Sequence, residues 1–234
     1  MSSAFNFVSH LAGEKNAAIC SAGLVAAVVA ISAVKAKSSL KREPNPLVPD
    51  SRLSLRALYD LLGGFILWLG DSAMGKENRK YLPFAGIVFL YVLSLNLLGL
   101  IPGFLMPTDQ FQFNLGMALT VFVMFNYWGI REVGLFNYLK HLWGPFKGIF
   151  LVLGIILFPI EVISMCVRPL TLGLRLYGNM TGDHLALAVF TDITKVLVPV
   201  AFLLLGTIVC FVQAFVFALL TMIYIRLAVA HGEH

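Results

Sequence analysis

Long, largely apolar runs separated by short polar stretches organise the chain. Ala17 to Val34 is an Ala-rich run of 18 residues, Leu82 to Ile101 and Phe111 to Ile130 are 20 residues each, and Phe146 to Phe190 and Val196 to Ile225 are 45 and 30. A helix of about 20 apolar residues spans a bilayer core. The pattern therefore predicts an all-α fold with five membrane-crossing helices. The last two runs are too long to stand upright, since they would reach about 68 Å and about 45 Å against a core of about 30 Å. They are expected to tilt or to kink at Pro159 and Pro169. Only the short TDITK stretch separates them, so they should form one long, inclined antiparallel hairpin.

The polar stretches give the organisation of a single membrane domain. From Lys35 the chain turns basic and then Pro-rich (EPNPLVP), which predicts an extended linker over 35–51 after a first span over 17–34. Over 52–70, Arg52, Arg56 and Asp60 recur every four residues while Leu55, Leu58, Leu62, Phe65, Ile66 and Leu69 fall largely elsewhere. That spacing predicts an interfacial amphipathic helix. The two 20-residue runs are joined by turn-formers Pro102, Gly103 and Pro107, giving a helical hairpin over 82–130, and the inclined hairpin covers 146–225.

Composition and charge sharpen this picture. The sequence is 59% hydrophobic and 12% charged, where a soluble domain carries about 25% charged residues. The net charge of +5 sits mainly in loops and does not indicate nucleic acid. Lys76, Arg79 and Lys80 flank one open end of the first hairpin and Arg131, Lys140 and Lys147 the other, whereas its loop has no Lys or Arg. By the positive-inside rule the open end, the basic linker, Arg226 and the carboxyl terminus face the cytoplasm and the amino terminus faces out. Glu14 and Lys15 before the first run, and four basic residues after it, suit a retained span better than a cleaved signal. Cys20, Cys166 and Cys210 lie in apolar stretches without metal or disulfide spacing. No internal repeat is visible, which gives an inverted-repeat transporter no support.

Ionisable residues inside the 45-residue run carry the chemistry: Glu161, Arg168, Arg175, Asn179, Asp183 and His184. A charge at bilayer depth costs at least about 2.5–3.5 kcal/mol, so such groups mark an ion path or a paired site. Glu161 and Arg168 also suit snorkelling from the ends of shorter helices. Residues seven apart turn by only about 20°, so Glu161, Arg168 and Arg175 share a face. Asn179 continues that face, and His184 falls near the opposite side. Two aqueous pockets separated by a cation fit this geometry. Arginine suits the separating position because it stays protonated; it would favour an ionised carboxylate nearby and deny protons a direct route. No matching acid stands at that level here, so it must come from a partner. Gln213, the only amide in the final run, should hydrogen-bond across the hairpin.

These residues resemble the a subunit of F-type ATP synthases. RPLTLGLRLYGNMTGDH and VQAFVFALLTMIY look like that family's two signature helices, and YLPFAGIVFLYVLSLNLLGLIPG like the start of its hairpin. The resemblance covers most of the chain from Arg52 onward. It implies that Arg175 is the arginine facing the c-ring, Gln213 its partner glutamine, and Asn179 the asparagine one turn on. It also implies that Glu161 is the acid of the cytoplasmic half-channel and that His184 stands where the family carries Glu or His in the opposite one. Members with His there often have a carboxylate seven residues before the glutamine, but this chain has Gly206; Asp183 is the candidate replacement.

The implied function is proton conduction by a stator subunit, with uptake past Asp183, His184 and Asn179 to c-ring carboxylates and release near Glu161. Implied partners are the c-ring, peripheral-stalk b-type subunits, the catalytic sector and membrane lipid, in a bacterial inner membrane. No phosphate-cradling Gly-rich loop with Lys is present, so no cofactor or catalytic residue is expected. Two rivals from other classes remain open at this point. An intramembrane enzyme based on Asp183 and His184 would need a nucleophile or metal set that His10 and His141 are not spaced to supply, and an autonomous proton-coupled transporter would need its own acid beside Arg175.

Overall fold

The computed structural model describes residues 17–42, 55–100, 107–136, 138, 151–193 and 197–230. The long elements among them are six helices: α1 (Ala17–Arg42), α2 (Leu55–Met74), α3 (Leu82–Gly99), α4 (Phe111–Val133), α5 (Leu151–Ile193) and α6 (Leu197–Ala230). Short 3-10 turns at Lys76–Tyr81 and Pro107–Asp109 lead into α3 and α4. Helices satisfy their own backbone hydrogen bonds, which lipid cannot do for them. Among the described residues, Ala18–Ser38, Lys76–Gly99, Phe111–Val133 and Val200–Val229 are long and apolar enough to cross a membrane.

Two boundaries depart from the sequence expectation. The stretch from Lys35 to Arg42, expected to open the linker, continues α1. Lys, Ala, Leu and Arg are good helix formers, and the first proline arrives only at Pro44. The helix expected over 52–70 is seen from Leu55 and runs past Gly70 to Met74. It stops at Gly75, whose φ of 82° is a conformation that glycine adopts without a Cβ penalty. The Pro-rich part of the linker, Arg52, the 101–106 loop, Lys15, Lys140, Lys147 and Lys195 lie outside the described residues.

The expected apolar face of α2 largely meets the bundle, with Ile66 and Leu69 buried and Leu62 and Phe65 packed against the core, but two of the expected positions, Leu58 and Arg56, are on the other side. Leu58, Leu61, Leu67 and Trp68 are exposed, whereas Arg56 is only 3% exposed and lies 3.6 Å from Asp60. Lipid tails are as apolar as leucine, so an outward leucine costs nothing in a bilayer and a charged group turns inward.

α6 is the central helix, packed against α2, α3, α4 and α5. Its Cys210, Ala214, Phe217, Ala218, Met222 and Ile225 are buried. Phe65 of α2 and Phe89 of α3 have ring centroids 5.9 Å apart, and Phe211 of α6 stands 5.8 Å from each. Such tilted and edge contacts suit aromatic quadrupoles and fix how the three helices face one another.

Ion pairs gather one end of the bundle. Arg79 donates two hydrogen bonds to Asp71, at 2.8 and 2.6 Å, and they hold the Asp71 carboxyl below its ordinary range. Lys80 and the Tyr81 hydroxyl both donate to Glu132, at 2.6 and 3.1 Å. Arg226 donates to the Ala73 carbonyl at 2.9 Å. The end of α2, the start of α3 and the ends of α4 and α6 therefore meet, with the basic residues clustered there. Away from that cluster, Thr181 of α5 donates to Asp109 in the turn before α4 at 2.8 Å.

Candidate functional site

The site is built on α5, one continuous helix through both Pro159 and Pro169. Each proline removes a backbone donor, a loss that packed membrane helices tolerate when hydroxyls and neighbours satisfy the freed groups. Just past Pro169, the Thr171 hydroxyl donates to the Arg168 carbonyl at 3.0 Å. A second consequence of this long helix is a large axial spread, since Glu161 and Arg175 are separated by about 21 Å along it.

The ionisable side chains of α5 have different surroundings. Glu161 and Arg175 are exposed. Arg168 is half-buried, its guanidinium carbon 5.7 Å from the centroid of the Tyr224 ring on α6, close enough for a cation–π contact. Arg175 forms no ion pair among the described residues. Its charge is thus available to a group outside the chain, whereas that of Arg168 is held against α6.

One turn beyond Arg175, the Asn179 amide donates to the Gln213 side-chain carbonyl at 2.9 Å. This is the expected hydrogen bond between the last two helices, and it leaves Gln213 only 5% exposed. Leu172, Leu176 and Met180 are buried at four-residue intervals, so the apolar stripe of α5 faces the bundle. Asp183, two turns beyond Arg175, is half-buried. His184 lies on α5, with its side chain outside the described residues.

Sequence reasoning missed a buried polar group beside this stretch. Asn96 of α3, Thr108 in the turn and Asn114 of α4 are all 0% exposed. Asn114 donates to the Thr108 carbonyl at 2.6 Å. Both amide atoms of Asn96, the Thr108 hydroxyl and the Asn114 carbonyl oxygen have no protein partner among the described residues, and such buried atoms are the usual ligands of bound water. The backbone of Asn114 lies against Gly173, whose added Cβ would come within 3.3 Å of it, so Asn114, with Thr108 bonded to it, adjoins α5 near Arg175. An amide inside the apolar YVLSLNLLGL stretch was the available signal.

Residues 18–226, which include this stretch of α5 and α6, match the model of the ATP synthase A chain. The chain belongs to this family. It is 38% identical over 221 residues to the ATP synthase subunit a of Bdellovibrio bacteriovorus, covering 94% of this chain and 95% of that one. It is 35% identical over 236 residues to that of Sulfurimonas denitrificans, spanning the whole of both. With the Sorangium cellulosum protein it shares 36% over 212 residues, 90% of this chain and 81% of the relative. As an ATP synthase A chain family member it is a non-catalytic membrane subunit of an ATP synthase complex, and both the exposed Arg175 and the Asn179–Gln213 pair fall within the matched span.

Proposed function

We propose that the chain is the proton-conducting stator subunit of a rotary ATP synthase, presenting two offset half-channels to carboxylates on a ring of c-type subunits. The observation that carries this reading is Arg175, exposed on α5 one turn from the bonded Asn179–Gln213 pair. A cation on the outer surface of a membrane helix is costly unless an anion meets it. A ring carboxylate passing Arg175 would be ionised there and would be protonated again away from it.

On this reading protons are taken up from outside through Asp183, His184 and Asn179, with water held by Asn96, Thr108 and Asn114. They leave toward the cytoplasm past Glu161. Arg168, held by Tyr224, adds positive potential on the release side without facing the ring. The peripheral stalk and the catalytic sector are the remaining partners, and the membrane is the bacterial inner membrane. Five crossings result if α5 crosses together with the four more apolar helices, and α2 then lies near the cytoplasmic interface. Liposomes containing the purified chain alone should pass no more protons than empty ones, while adding the ring produces flux. Proton flux through the chain alone would support an autonomous transporter instead.

Orientation follows from the basic cluster of Lys76, Arg79, Lys80, Arg131 and Arg226 at one end of the bundle. With the native cysteines replaced, Ser39→Cys and His234→Cys should resist an impermeant maleimide in intact cells and react once the cells are opened. Labelling of either in intact cells contradicts the assignment.

A further inference from the structure

The geometry assigns to Gly206 a positioning role: by having no side chain it seats the Asp183 carboxylate between α5 and α6. This inference rests on the proton-conducting reading above. A Cβ built on Gly206 would stand 2.6 Å from Asp183 Oδ2, 3.6 Å from its Cγ and 3.1 Å from Leu100 Cδ2. The carboxylate of one helix therefore occupies the volume that a side chain of the other would fill. Other close glycines make room for different groups: Gly70 for Leu82, Gly129 for Tyr138 and Ala228, and Gly173 for the backbone of Asn114. Gly23, Gly63, Gly64, Gly116, Gly178 and Gly182 face open space.

Gly206 is the one glycine of α6, and glycine is a poor choice inside a helix unless something must come close to its backbone. What comes close here is a charged group. Without the seat, the short Asp183 side chain would be displaced from this position by the added Cβ, and a charge turned out of the helix interface toward lipid is costly. With the seat, it stays half-buried, one turn along α5 from Asn179, on the same helix interface as the Asn179–Gln213 bond. Leu100 closes the seat from the end of α3, and the buried Cys210 stands one turn further along α6. The other titratable groups around it are Asp109, whose carboxylate accepts from Thr181, and His184, the next residue on α5. Residue 206 thus determines how closely the uptake carboxylate approaches α6.

The test uses the whole ATP synthase in membrane vesicles, comparing Gly206→Ala, Asp183→Ala, the two combined, and the exchange of Asp183→Gly with Gly206→Asp. Abundance of the chain in purified complex is measured beside ATP synthesis as a function of external pH. Gly206→Ala should assemble but slow synthesis by about tenfold or more, as displacement of a working group by an ångström can do, and should shift the pH profile toward that of Asp183→Ala. In the Asp183→Ala background it should add nothing, because no carboxylate is left to displace. The exchange should recover a large part of the rate, since it returns a carboxylate to the same niche from the other helix. If Gly206→Ala fails to assemble, recovery of the exchange variant decides the matter. Wild-type rate and pH profile in Gly206→Ala while Asp183→Ala is impaired would overturn the seat and leave the proton-path reading standing. A Gly206→Ala defect persisting in full without Asp183, or no recovery on exchange, would show a packing role only. An unimpaired Asp183→Ala would remove Asp183 from the path, and the seat with it.

Discussion

Membranes carrying Arg175→Ala should make no ATP from a proton gradient, and those carrying Arg175→Lys should lose synthesis by at least about 100-fold, with the chain still inserted and assembled. The size follows from electrostatics: a unit charge about 4 Å from a carboxylate, at an effective dielectric near 20, is worth about 4 kcal/mol, or about three pKa units of the acid it faces. Removing it would let each ring carboxylate keep its proton past the stator. Lysine is an inadequate substitute because burial can neutralise it, and a neutral amine can carry protons across the divide that Arg175 maintains. No ion pair holds Arg175 among the described residues, so the substitution breaks none within the chain and assembly should survive. ATP synthesis and chain abundance in the same vesicles check both halves. Near-normal synthesis by Arg175→Lys would remove the assignment.

The largest structural effect is expected at Gly129. A Cβ there would lie 2.9 Å from the Tyr138 ring, 3.1 Å from the Ala228 Cβ and 3.2 Å from the Ala228 carbonyl oxygen. Backbone and ring cannot yield as a flexible side-chain end can, so Gly129→Val must push α4 from α6. Overpacking of this kind costs about 1–3 kcal/mol. The variant should show reduced yield in membranes and a lowered melting temperature in detergent. Gly116→Val on the same helix, where an added Cβ meets nothing within 4 Å, should stay within about 0.5 kcal/mol of the parent. Equal stability of the two variants would show that the α4–α6 approach does not limit packing.

The membrane class and the residues of α5 were legible because both are properties of one helix at a time. Apolar run length fixes what crosses a bilayer, and the seven-residue recurrence of Glu161, Arg168 and Arg175 requires only regular helical geometry. Residues 35–42 were read as linker because their charge was weighed above their helix propensity, which sustains α1 until the prolines. On α2 the inward positions Ile66 and Leu69 were legible, whereas the buried Arg56 and the outward Leu58 were not, because a helix whose exterior meets lipid gains nothing by hiding every leucine.

What the sequence determined by itself is an all-helical membrane chain with a cation, an amide and a carboxylate at Arg175, Asn179 and Asp183, spaced four residues apart on one helix. It could not say which neighbour each would meet, because contacts between helices depend on their rotation and relative height, and side chains far apart in sequence settle both. Only the tertiary structure showed Tyr224 beneath Arg168 and Asn96 and Asn114 buried with unmatched polar atoms. Gly206 is the clearest case. Beside the family that the chain resembles, it reads as an acid gone missing, but in the folded chain its empty side-chain position is filled by the carboxylate of Asp183, because an absent Cβ has no meaning until another helix is packed against it.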